Sequence, residues 1–349
     1  MNVQELKHIL SAFQIDTAGV SYEPVGHGYI NDTFFVKVQG NYKYVCQRIN
    51  NNVFKAVENL QENVDRALLK LKGKDYQKMA FLKTTENKSL LKYKGTFWRI
   101  MPFIKNSQIY NTTTEPKVAF EAGAIIGLFH KLLNNEDITL YHEIIPDFHN
   151  LKVRISQFNA AMDYADHLTH TEAQDQVNFV FSTIPVFDYL NEADLPLRLC
   201  HNDTKLNNIL FNDQNEGLCL IDLDTIMPGY FHYDFSDAIR TIVNPASEDE
   251  TNLSKIEFDL ILFESFLNGL KHSGLKLTNS EIEYLPLSVA YMPFLHGLRA
   301  LTDYLNGNTY YKVNYAEHNL DRCKNLFEFT RLAINNVPNM KGYVNLIKK

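Results

Sequence analysis

"RLCHNDTKLNNILF", residues 198–211, sets a His, an Asp and three Asn between two apolar runs. Polar residues this dense after a strand-like segment usually turn the chain, with Asx side chains bonding the local backbone. Inside the turn, however, residues 201–208 read His-x-Asp-x-x-x-x-Asn, and Asp222 follows 14 residues after Asn208 in "CLIDLDT" (219–225). Two carboxylates and a carboxamide, delivered by a loop and by the end of the next hairpin, suit one task. Asp203 accepts a proton from an attacking hydroxyl, while Asn208 and Asp222 offer the hard oxygens that Mg2+ prefers between nucleotide phosphates. Either segment alone reads as a turn entering a hairpin. Both together, in this order and at this spacing, point to phosphoryl transfer.

The neighbouring residues extend this reading, which follows the logic of the protein-kinase catalytic and metal loops. Asp224 is expected as an auxiliary metal ligand or a substrate-side group. "YDFSDAIR" (233–240) places Asp234 and Asp237 at a helix start, where capping is the plain reading. Asp234 is expected to be a buried support that accepts hydrogen bonds from the catalytic loop, and His201 to brace that loop. Near the N-terminus, "GHGYIND" (26–32) is too short for a Walker P-loop. It lies where a kinase's nucleotide-covering loop would lie, so Gly26 and Gly28 would let backbone amides approach phosphates. Arg48 stands roughly where kinases place a phosphate-contacting lysine, with contact to the acceptor as the alternative. Glu62 would orient Arg48 by a salt bridge, Glu58 competing for the role and a solvated helix face being the plain reading of both. "RIMPFI" (99–104) reads as a hinge whose backbone near Met101 and Phe103 would bond adenine.

Composition bounds the rest. With 349 residues, 45% hydrophobic and 21% charged, the chain is long enough for two domains or two lobes with sizeable cores. A net charge of −7 argues against nucleic acid or an anionic membrane as the main partner. The four cysteines lack CxxC spacing and read as buried free thiols. The first residues lack the apolar core of a signal peptide, no apolar run approaches membrane-spanning length, and the expectation is a soluble cytoplasmic protein, monomeric or weakly dimeric.

Periodicity predicts helices over 3–14, 53–72, 114–133, 150–165, 171–190, 254–272, 279–305 and 316–335. Strands are expected on either side of a turn at Gly40-Asn41, then over 78–84, 88–104, 197–200, 208–211 and 217–222. The expected organisation is an N-terminal lobe over 1–105 and a C-terminal lobe over 106–349, joined by a tight hinge.

"HNDTKLNNILF", "LCLIDLDTIMPG" and "YDFSDAIR" resemble the aminoglycoside phosphotransferase/choline kinase superfamily. That resemblance implies an α+β, two-lobed, protein-kinase-like fold with a small antiparallel-sheet N-lobe and a larger, mostly helical C-lobe. "GHGYINDTFFV", "YVCQRINNNVF", "IPDFHNLKVRISQF" and "LRALTDYLNGNTYY" are similar to its N-acetylhexosamine 1-kinase branch, from about residue 20 to about 313. The resemblance implies ATP and Mg2+ as cofactors and a small-molecule sugar as partner, phosphorylated on its anomeric hydroxyl. Carried over by position, Asp203 is the base and Asn208 and Asp222 are the metal ligands. Asn31 and Asp32 face the sugar, and Arg299 and Tyr310 close the pocket, positions that read as helix-surface packing without the resemblance. The alternatives are a kinase of the same fold acting on choline, homoserine or an aminoglycoside, and a non-catalytic nucleotide- or sugar-binding module.

Overall fold

The computed structural model describes residues 2–26, 30–345 and 347. Gly28 lies outside the described residues. The chain divides into two units, one of Met1–Ser107, Asn135–Ile145 and Asp222–Met227, the other of Gln108–Asn134, Pro146–Ile221 and Pro228–Lys349. A single boundary at residue 105 therefore misses two later segments that belong with the N-terminal unit. Asn63 holds both of them. Its side chain, fully buried, donates to the carbonyls of His142 (2.8 Å) and Ile226 (2.9 Å) and accepts from the His142 amide (2.9 Å).

The first unit is built on an antiparallel sheet of order β1-β2-β3-β5-β4, with β1 at Val20–Pro24, β2 at Asp32–Val38, β3 at Asn41–Ile49, β4 at Leu91–Tyr93 and β5 at Thr96–Pro102. Helix α1 (Val3–Ala12) buries Leu6, Ile9 and Leu10 among Phe34, Val36, Cys46, Trp98 and Ile100. Helix α2 (Val57–Leu68) buries Leu60, Val64 and Ala67. The β2–β3 turn falls on Gln39-Gly40, one residue earlier than expected, with φ of 51° and 79°. Two positive φ values are what a two-residue hairpin loop needs to match strand twist. Lys94-Gly95, at 48° and 75°, repeats the device and splits the expected 88–104 strand into β4 and β5. Residues 78–84 form no strand: among the described residues, the one backbone bond they make to the sheet is the Leu82 amide to the Ile100 carbonyl (2.8 Å).

The second unit is mostly helical. It comprises α3 (Pro116–Leu133), α4 (Leu151–Tyr164), α5 (His167–Thr183), α6 (Tyr189–Glu192), α7 (Phe231–Ile242), α8 (Leu260–His272), α9 (Asn279–Ser288), α10 (Tyr291–Leu305) and α11 (His318–Val344). Short strands accompany them: β6 (Ser107–Gln108), β7 (Leu197–Cys200), β8 (Ile209–Asn212), β9 (Gly217–Leu220) and β10 (Met227–Tyr230), paired as β6-β8-β9 and β10-β7. Helices α3 and α8 cross backbone to backbone. A Cβ on Gly123 would meet the Phe266 carbonyl oxygen at 2.1 Å, and one on Gly269 the Phe120 carbonyl oxygen at 1.8 Å. The expected 279–305 helix breaks at Val289–Ala290, because Pro293 has no N–H for the Val289 carbonyl. The Ser236 hydroxyl donates to that carbonyl instead (3.0 Å) and accepts from the Met292 amide (2.9 Å). Among the described residues, no helix is long and apolar enough to cross a membrane.

Candidate active site

In the second unit, β7 delivers the loop 201–208 and β8 carries the chain away from it. Buried Leu199, Cys200, Leu206, Ile209 and Phe211 anchor both ends. Asn202, at φ 63°, makes the left-handed turn that presents Asp203. Asp234, fully buried on α7, holds this turn: its carboxylate accepts the amides of His201 (2.8 Å) and Asn202 (2.7 Å), and His130 Nε2 lies 3.0 Å from it. His201 ties the loop to the next strand. The Asp203 amide donates to its Nδ1 (3.2 Å), so Nε2 carries the proton and donates to the Ile221 carbonyl (2.8 Å). The Ile221 amide in turn donates to the Asn208 carbonyl (2.9 Å).

Within the loop, Asn208 spends its Nδ2 twice, on the Asp203 carbonyl (2.8 Å) and on Asp203 Oδ2 (2.9 Å). Lys205 Nζ lies 3.2 Å from the same Oδ2. Asp203 Oδ1 and Asn208 Oδ1 take no hydrogen bond among the described residues. One is therefore open to a proton and the other, a hard carbonyl oxygen, to a cation such as Mg2+. Lys205 was missed by the sequence reading, although a basic residue two positions after a proposed base was a visible signal. His149 was missed too. Its Nε2 donates to the Asn202 carbonyl (3.1 Å), and burial pushes its pKa down to about 3, so the ring stays a neutral donor.

Farther along this unit, Arg299 on α10 lies beside three rings, 5.8 Å from Phe148, 5.9 Å from Tyr310 and 5.8 Å from Tyr311. Among the described residues no carboxylate pairs with it. Arg154 is a second guanidinium in this neighbourhood; its pKa is lowered by burial first and then by the Arg299 charge. Tyr310 is 67% exposed.

In the first unit, the expected partners are rearranged. Arg48 stands directly opposite Asp32 in the β2–β3 register, and its Nε donates to Asp32 (2.6 Å). Glu62 does not orient it: Glu62 pairs with Arg66 (3.1 Å) and His142 (3.3 Å). Strand alternation explains the change, since Gln47 turns inward where Arg48 turns outward. The buried arginine is Arg99, 2% exposed, which donates to Gln47 (2.9 Å) and Gln61 (3.4 Å), pairs with Asp224 Oδ1 (2.6 Å) and lies 4.7 Å over the Phe81 ring. A charge inside the apolar run "FWRIMPF" was the signal for it.

Asn31 and Asp32, expected together, also separate. Asn31 is buried, donating to Asp224 Oδ2 (2.5 Å) and accepting from the Asn50 amide (2.9 Å), whereas Asp32 is exposed. Asp224, 3% exposed, accepts Asn31 on Oδ2 and has Oδ1 2.6 Å from Arg99, which makes it the centre of a buried polar cluster. Asp222, in the left-handed conformation at φ 60°, is exposed; the turn at 222–225 thus divides the two acids by environment. The Phe103 amide is spent on the Lys43 carbonyl (2.8 Å), which removes it as an adenine contact, and Met101 stands opposite Val45 in the sheet. Gly26 is exposed, and a Cβ there would meet nothing within 4 Å.

The model of the phosphotransferase enzyme family matches residues 21–258. Solved structures of the same fold include spectinomycin phosphotransferase APH(9)-Ia in complex with ADP and spectinomycin (TM-score 0.65, 14% identity, 95% of this chain and 97% of that one). They also include a microcompartment-associated aminopropanol kinase (0.64, 13%, 97% and 99%) and amicoumacin kinase hAmiN with AMP-PNP and Ca2+ (0.62, 13%, 94% and 92%). The two-lobed, kinase-like α+β fold is shared with them. The chain belongs to the phosphotransferase enzyme family.

Proposed function

For this member of the phosphotransferase enzyme family we propose transfer of the ATP γ-phosphate to the anomeric hydroxyl of an N-acetylhexosamine, giving the sugar 1-phosphate. The observation that carries the choice of acceptor is the Arg299 guanidinium, set among three aromatic rings with no carboxylate partner among the described residues. A sugar offers hydroxyls to the guanidinium and an apolar ring face to aromatic side chains. A cationic alcohol would need carboxylates or an open aromatic cage, and here a fixed cation already faces the rings. The similarity of "LRALTDYLNGNTYY" and "IPDFHNLKVRISQF" to the N-acetylhexosamine 1-kinase branch supports the anomeric position.

Asp203 serves as the base through Oδ1, with Oδ2 held by Asn208 and Lys205. The anomeric hydroxyl is more acidic than an ordinary alcohol, so Asp203 mainly orients it and takes its proton late. Asn208 Oδ1 and the Asp222 carboxylate are the oxygens assigned to Mg2+. The ion, when bound, neutralises charge on the phosphates. Most of the acceleration then comes from holding hydroxyl and phosphate in line. The turn at Gly26 and the Arg48 side chain are assigned to the nucleotide side.

Initial rates across an acceptor panel test the choice. N-acetylhexosamines should exceed choline, aminopropanol and aminoglycosides in kcat/KM by about 100-fold or more, since like charges brought together cost several kcal/mol. Equal or faster turnover of any cationic alcohol would overturn it.

A further inference from the structure

We propose that Asp303 is a positioning residue for the acceptor: its carboxylate clamps the segment that sets Tyr310 and Tyr311 beside Arg299. Asp303 lies one helical turn after Arg299 on α10 and is 4% exposed. Its Oδ1 accepts the Tyr310 amide (2.8 Å), and its Oδ2 accepts both the Tyr311 amide (2.9 Å) and Asn319 Nδ2 (2.8 Å). The chain reaches this fork through a tight reversal, with Gly307 and Asn308 at φ 74° and 58° and the Asn308 amide on the Asp303 carbonyl (2.8 Å). Asn319 also donates to Asn308 Oδ1 (2.9 Å), joining the reversal to α11.

Two features separate this arrangement from an ordinary loop support. Among the described residues no Lys or Arg pairs with Asp303, so a buried carboxylate is held by neutral donors alone, three N–H groups and, at 3.5 Å, the Thr309 hydroxyl. That is a costly way to hold a loop that only has to turn. The consequence of the fork is also specific. Two consecutive amides are fixed on the two oxygens of one carboxylate, so the two rings stand perpendicular, 4.8 Å apart, and both lie beside the Arg299 guanidinium. Tyr311 is further held by Arg322, 5.7 Å from its ring. The clamp thus acts on the acceptor through Tyr310 and Arg299 and should leave the nucleotide untouched.

The inference rests on the reading that Arg299 and Tyr310 face the acceptor, and its test separates the two. Asp303→Asn keeps the shape but replaces one accepting oxygen with an NH2, releasing one tyrosine amide. The acceptor KM should rise about tenfold, with kcat at saturating acceptor and the ATP KM each within about twofold. Asn319→Ala, which leaves both tyrosine amides bound, should raise the acceptor KM about threefold; if Asp303→Asn does not fold, this variant decides on the same split. Arg299→Lys is the control. If it raises the acceptor KM and the Asp303 and Asn319 variants do not, the clamp is wrong and the acceptor reading stands. If Arg299→Lys leaves the acceptor KM unchanged, the acceptor reading fails and takes the clamp with it. A purely structural Asp303 would lower the melting temperature without separating acceptor KM from ATP KM, and that result also overturns the proposal.

Discussion

Asp203→Asn should lower kcat by about a thousandfold while leaving ATP affinity within about twofold, the scale expected for loss of a positioned general base. The substitution is nearly isosteric. The backbone of the turn is held without the Asp203 side chain: the amides of His201 and Asn202 are fixed by Asp234, the Asp203 amide is fixed by His201, and an asparagine oxygen can still accept from Asn208. What changes is Oδ1, which no longer carries a charge able to take a proton. The check is a single-turnover measurement beside nucleotide binding by calorimetry. Near wild-type turnover would remove Asp203 from the base role; loss of ATP binding together with turnover would mean that the loop had collapsed.

The second large effect is on stability. Asp234→Asn should lower the melting temperature by about 5 °C, corresponding to roughly 3–5 kcal/mol for a chain of this size. Asp234 is fully buried; its carboxylate accepts two backbone amides and lies 3.0 Å from His130 Nε2. An asparagine turns one acceptor into an NH2 that faces an N–H, leaving a buried donor without an acceptor. Turnover should fall with stability, because the freed amides are those of His201 and Asn202, immediately before Asp203. A melting temperature within two degrees of wild type would show that the carboxylate is not what holds the loop.

The 201–208 loop was legible in the sequence because its residues are contiguous. His201, Asp203 and Asn208 come from one loop, and the apolar runs beside it are the strands that anchor it. The helices of the second unit were legible for the same reason, their periodicity being local. The misreadings come from geometry that one residue can change. Arg48 and Gln47 are neighbours in β3, yet alternation sends one out to Asp32 and the other in to Arg99. Asp222 and Asp224 are two residues apart, yet a left-handed residue at 222 leaves the first exposed and buries the second. The Asp303 fork was unreadable because its partners, Tyr310, Tyr311 and Asn319, are joined only by the reversal at Gly307-Asn308. Residues 78–84 have strand composition but make one backbone bond to the sheet among the described residues, and composition does not count bonds.

The most direct test of the central claim is 31P NMR of the product after incubation with ATP, Mg2+ and N-acetylglucosamine or N-acetylgalactosamine. The account predicts equimolar ADP and a phosphorus resonance coupled to the anomeric proton of the sugar. A phosphate on the 6-hydroxyl, or slow release of inorganic phosphate with the sugar unchanged, would contradict it.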